Sequence, residues 1–176
     1  MVSRTSSRRA FESDPEETGI TFAENARIKA LAAHEASGGM PTLADDSGLE
    51  VDALGGAPGV LSARYAGTHG NDADNNALVL ANLGDLAFEE RSARFVCALS
   101  FVDADGSELS ARGTVEGRIG FAPRGEAGFG YDPLFFPEEY GFSCTFAEVP
   151  MSTKAMISHR GRALRDLAAR IAEREG

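Results

Sequence analysis

The sequence predicts an α/β domain: an elongated mixed sheet, part of it hairpin-paired, with flanking helices. Three observations predict it. Apolar residues recur at helical spacing over 25–36, 72–83 and 152–174; aromatic and aliphatic residues concentrate in 94–102 and alternate over 108–119; and the two kinds of segment interleave along the chain. Helices interleaved with strands, some of them antiparallel, exclude an all-parallel sheet. At 176 residues and 43% hydrophobic content the chain can bury one sizeable core. One domain over 14–176 is expected, behind a basic, serine-rich disordered tail over 1–13.

The elements follow in order. Thr21 can cap a helix, and Glu24 three residues later completes a capping box ahead of the alanine-rich stretch 25–36, which Gly38 and Gly39 end. Residues 41–46 read as a strand that stops in a turn at Ser47 and Gly48, with a second short strand at 50–54 and a loop through Gly55, Gly56, Pro58 and Gly59. Residues 72–83 read as a packing helix with its asparagines on the outer side. Residues 94–102 and 108–119 read as a hairpin turned at 103–106. A glycine-rich loop, 125–130, precedes the apolar 134–136, and one amphipathic helix is expected over 152–174.

The net charge of −10 repels nucleic acid and anionic membranes, and excludes them as partners. A small phosphorylated ligand stays compatible if local cations and a metal offset the field. No apolar run approaches the roughly 20 residues that span a bilayer, and 1–9 has no apolar core for a secretory signal. Cys97 and Cys144 read as two buried free thiols in a reducing cytoplasm.

Several residue groups could carry chemistry. Asp45 and Asp46 cannot both stay ionised at close quarters in a buried site unless a cation shares them. Mg²⁺, which takes one or two carboxylates plus substrate phosphates, is the natural one. Neighbouring strand residues point to opposite faces, so one of the two should face the site; equally, both could cap a turn. Glu16 and Glu17 are further candidate metal ligands, or simply acids near a helix N-terminus. Phe129, Gly130, Tyr131 and Asp132 offer an aromatic face and a carboxylate for a flat base. Lys154, Ser158, His159 and Arg160 gather cations on a helix, as a phosphate or keto oxygen would require, or as a solvated face would show. A Ser47–His159–Asp hydrolase is disfavoured, because Ser47 lacks a glycine-flanked nucleophile elbow. The segment 59–65 reads as a surface loop packed on its own domain.

These segments, TGITFAENARIKA, LADDSGLEVDALGGAPGVLSARYAG, GFGYDPLFF and KAMISHRGRAL in that order, resemble the inosine triphosphate pyrophosphatase family. The resemblance implies hydrolysis of ITP, dITP or XTP to the monophosphate and pyrophosphate, in an elongated α/β fold that forms a homodimer, with 59–65 as a candidate interface loop. It implies Asp46 as general base and metal ligand, with Asp45 beside it and Ser47 on the substrate. Glu17, or else Glu16, matches the second magnesium ligand, and Lys29 is the cation for the phosphates. The purine pocket would be built from Phe129, Gly130, Tyr131, Asp132, Lys154, Ser158, His159 and Arg160. Members of that family begin with an apolar strand and a Thr/Ser-Gly-Asn turn, and residues 1–13 hold nothing equivalent. An active enzyme and a shortened, weak or silent nucleotide-binding copy are therefore both expected readings.

Overall fold

In a computed structural model of the chain, residues 13–175 are described; the expected tail lies outside them save for Ser13. Thr21 is extended, its hydroxyl accepts from Glu24 N at 3.2 Å, and the Glu24 carboxylate accepts from Thr21 N at 3.1 Å. This is the expected capping box, and it starts α1 (Phe22–Ala36).

Next comes one continuous strand, β1 (Thr42–Val51), where the sequence suggests two strands and a turn. The reason lies at Gly48. A Cβ there would meet Ser62 Oγ at 2.4 Å, Gly59 O at 2.8 Å and the Phe22 ring at 2.9 Å. The glycine admits close neighbours on the strand rather than turning the chain. The strand runs on to Leu49 and Val51, both fully buried, and ends in a single 3₁₀ turn, Asp52–Leu54.

The hairpin is found as expected. Strands β2 (Ser92–Val102) and β3 (Glu108–Ile119) pair antiparallel from Ser92 opposite Arg118 to Val102 opposite Glu108. With β4 (Phe135–Pro137) the sheet has the order β1-β2-β3-β4, and each of these neighbours pairs antiparallel. The α/β class with flanking helices holds, and the described strands pair antiparallel throughout.

Helix α2 (Asp72–Leu83) keeps its expected bounds, but Asn75 and Asn76 are buried, not outward. Asn75 explains why: its Oδ1 accepts from Ala66 N at 2.8 Å and its Nδ2 donates to Ala63 O at 3.2 Å, so its buried amide is satisfied by the backbone of the preceding loop. The C-terminal helix is also two helices, α3 (Met151–Ile157) and α4 (His159–Glu175). Ser158 is extended between them (ψ 149°), and its Oγ accepts from Gly161 N at 3.1 Å as an N-cap.

The sheet is covered on both faces. Phe22 and Ala26 of α1 pack on Val96 and Ala98, while Ala163 and Leu167 of α4 pack on Cys97, Leu99 and Ala111. Gly113 lets α4 approach: a Cβ there would lie 2.1 Å from His159 O and 2.5 Å from Ala163 N. That contact seats the start of α4, with its candidate site residues, directly on the sheet. Cys97 is buried as expected, whereas Cys144 is only half-buried. Among the described residues no helix is long and apolar enough to cross a membrane.

Candidate active site

Two groups of the expected residues form on opposite faces of β1. Asp46 lies opposite Ala98, on the face that α1 covers; Asp45 lies opposite Leu99, on the face that α4 covers. The two adjacent carboxylates are thus separated by the strand's alternation, and each acquires a different partner set.

On the α1 face, Lys29 Nζ stands between two acids, 2.9 Å from Asp46 Oδ1 and 3.0 Å from Glu17 Oε1. Arg64 Nη1 lies 4.0 Å from the other Glu17 oxygen. Asp46 Oδ2 is buried and has no hydrogen-bond partner. Burial raises the Asp46 pKa above the ordinary carboxylate range, Lys29 opposes that shift, and Glu17 adds to it. Glu16 is exposed and belongs to neither contact.

On the α4 face, Arg160 Nη2 donates to Asp45 Oδ2 at 2.7 Å, and Ser47 Oγ donates to the same oxygen at 3.2 Å. The buried Cys97 thiol lies opposite Ser47 and is raised above its ordinary pKa, chiefly by burial. His159, the next side chain in this row, is stacked on Phe95 with ring centroids 5.1 Å apart, and its Nδ1 is buried without a partner. Burial, with repulsion from Arg160 and Lys154, lowers its pKa to about 4 against the pull of Asp45. It is neutral near pH 7, so it does not join Lys154 and Arg160 as a cation.

The purine-pocket candidates are also placed together, with divided tasks. Phe129 is 66% exposed, with Lys154 Nζ 5.0 Å from its ring centroid. Lys154 is ion-paired to the buried Asp132 Oδ2, which also accepts from Phe129 N at 3.1 Å. Tyr131 is buried and donates its hydroxyl to Ser62 O at 2.7 Å, so of the two rings only that of Phe129 presents an open face. Ser158 is engaged as the α4 cap, donating to Ala155 O and accepting from Gly161 N.

Sequence reasoning passed over Asn25, Ser62, Asp72 and Asn76. Asn25 ties Gly19 N to α1 at 2.8 Å beside Asp46, and Ser62 accepts from Leu49 N at 2.9 Å while receiving Tyr131. Ser62, Asp72 and Asn76 act through backbone partners 13 to 58 positions away, which no local pattern marks, whereas the Asn25 partner is six residues off; an Asn on the apolar side of a helical wheel was the one available signal.

A model of the Ham1 family matches residues 2–170. The dITP/XTP pyrophosphatase of Cutibacterium acnes is 53% identical over 164 residues, covering 92% of this chain and 79% of that protein. Among solved structures, the Ham1 protein of Staphylococcus aureus superposes with a TM-score of 0.85 at 43% identity, over 92% of this chain and 81% of that one. The nucleoside-triphosphatase / dITP/XTP pyrophosphatase of Mycobacterium abscessus superposes with a TM-score of 0.75 at 48% identity, over 89% and 78%.

Proposed function

The chain belongs to the Ham1 family, and we propose on that premise that it hydrolyses the non-canonical purine nucleoside triphosphates dITP, XTP and ITP to the monophosphate and pyrophosphate. The observation that carries the proposal is the Asp46 carboxylate, which has one oxygen fixed by Lys29 and the other buried and unpartnered. A carboxylate held in this way, with its pKa raised by burial, is suited to take the proton of an attacking water.

Mg²⁺ is the metal we propose, held by Asp46 and Glu17. Both are hard oxygen donors already gathered around one cation, Lys29, and the orphaned Asp46 oxygen suits a further cation. Among the described residues no three His, Cys, Asp or Glu form a ligand cage, which accords with an ion that draws its other ligands from water and substrate phosphates. When bound, the ion would polarise the phosphoryl oxygens and acidify water. Lys29 neutralises charge that builds on the phosphates. At the other end, the open face of Phe129 receives the base, and Lys154 and Arg160 donate to the 6-keto oxygen of inosine or xanthine. An adenine amino group would leave those donors unpaired.

The same reading takes 14–176 as one catalytic domain, working in the cytoplasm as a homodimer. Leu61, 46% exposed in the 3₁₀ segment Gly59–Arg64, is its candidate contact. A silent nucleotide-binding copy draws no support from the site, since Asp46, Lys29 and Glu17 are present and in mutual contact. The test is Asp46→Asn, which should lower turnover of dITP by about 10²-fold or more with an unchanged circular-dichroism spectrum. Full activity in that variant would remove Asp46 as the base. Orthophosphate instead of pyrophosphate among the wild-type products would make the protein a phosphomonoesterase.

A further inference from the structure

The loop that carries Phe129, Tyr131 and Asp132 is gripped at Gly130 by two side chains of α2. Asp72 Oδ2 accepts from Gly130 N at 2.7 Å, and Asn76 Nδ2 donates to Gly130 O at 2.8 Å. The two residues are one helical turn apart and project from the same side of α2. Between them they hold both peptide groups that flank the Gly130 Cα.

The Asn76 amide is oriented by its surroundings. Its Nδ2 also donates to Asp72 O at 2.8 Å, so a reversed amide would set its oxygen against two carbonyls. The consequence is a buried Asn76 Oδ1 with no partner. Buried polar atoms left unsatisfied are uncommon in folded proteins and call for a compensating reason; the grip on Gly130 supplies one.

We propose that Asp72 and Asn76 are positioning residues for the purine pocket, fixing the peptide groups from which Phe129 and Asp132 are presented. The inference rests on the reading that this loop receives the purine. Gly130 has no side chain to anchor it and sits at φ +61°, a region glycine enters and leaves readily. Phe129 is largely exposed, so packing does not orient its ring; its direction follows from its backbone. Asp132, which holds Lys154 and Phe129 N, lies two residues beyond the grip. A slack Gly130 would therefore displace the stacking face and the keto donor together.

The test compares wild type, Asp72→Ala and Asp72→Asn by steady-state kinetics on dITP and dGTP with Mg²⁺, and by amide exchange at Gly130. Asp72 is exposed, so the alanine variant leaves the core intact. Loss of one hydrogen bond should raise the KM for dITP about five- to thirtyfold with kcat little changed, and narrow the preference for dITP over dGTP. Gly130 exchange should quicken. Asp72→Asn keeps an acceptor for Gly130 N and should restore both readouts, which a charge effect at the α2 N-terminus would not do. Unchanged KM and unchanged exchange in Asp72→Ala would overturn the proposal, as would a fall in kcat and thermal stability at constant KM. Were wild type itself inactive on dITP, the substrate reading would fail, and the exchange data would still decide whether Asp72 holds Gly130.

Discussion

His159 illustrates how far surroundings carry a side chain from its residue type. Its sequence neighbours Lys154 and Arg160 suggest a third cation, yet burial against Phe95, with repulsion from those two positive charges, leaves it neutral, with a pKa lowered from 6.5 to about 4. Because the folded-state pKa lies below the unfolded one, the unfolded chain takes up this proton first as the pH falls. The His159 contribution to stability is therefore whole above about pH 6.5, erodes between 6.5 and 4, and is gone below 4. The shift corresponds to roughly 3 kcal/mol at most. His159→Gln, which cannot take up that proton, should lose less stability than wild type between pH 7 and pH 4 in urea titrations; parallel losses would show that the imidazole is not buried neutral. At this scale Asp46, Lys29 and Glu17 were expected together from the family resemblance, and the strand's alternation separates Asp46 from Asp45. The pairing of Arg160 with Asp45 was not, since it joins residues 115 positions apart. Ser62 and Asp72 escaped for the same reason: their partners are backbone atoms that only the fold brings near.

Elements with a local signal were legible to their ends. The capping box at Thr21 and Glu24, the alternation over Glu108–Ile119 and the period over Asp72–Leu83 all depend on neighbours a few residues away. Gly48 misleads because glycine marks turns and close approaches alike, and only the presence of Ser62, Gly59 and Phe22 decides between them. Ser158 is hidden differently: the amphipathic period runs across α3 and α4, so the break shows in the backbone and the cap rather than in the pattern. Gly48→Ala tests the β1 assignment. Its Cβ would press on Ser62 Oγ and Gly59 O, and should cost about 1–3 kcal/mol of stability, measured as a lowered urea midpoint. Wild-type stability in that variant would contradict the close packing of the Gly59–Arg64 segment on β1, and with it the link from β1 through Ser62 to Tyr131.

Across the whole molecule, one strand divides the chemistry. The group proposed for the phosphates, Asp46 with Lys29 and Glu17, lies on the α1 face, and the row of Asp45, Arg160 and His159, proposed for the base, lies on the α4 face near Lys154 and Asp132. Every cation of the candidate site is already paired with a carboxylate: Lys29 with Asp46 and Glu17, Lys154 with Asp132, Arg160 with Asp45. In a chain of net charge −10, a polyanionic substrate meets no surplus of positive charge here. A divalent ion held by Asp46 and Glu17 would offset that charge, so the proposed metal dependence draws support from the charge balance as well as from the ligands. The most direct measurement is pyrophosphate release from dITP and dGTP, with and without Mg²⁺. The account predicts release that requires the metal and favours dITP. Release indifferent to Mg²⁺, or none from a folded sample supplied with it, would contradict the account.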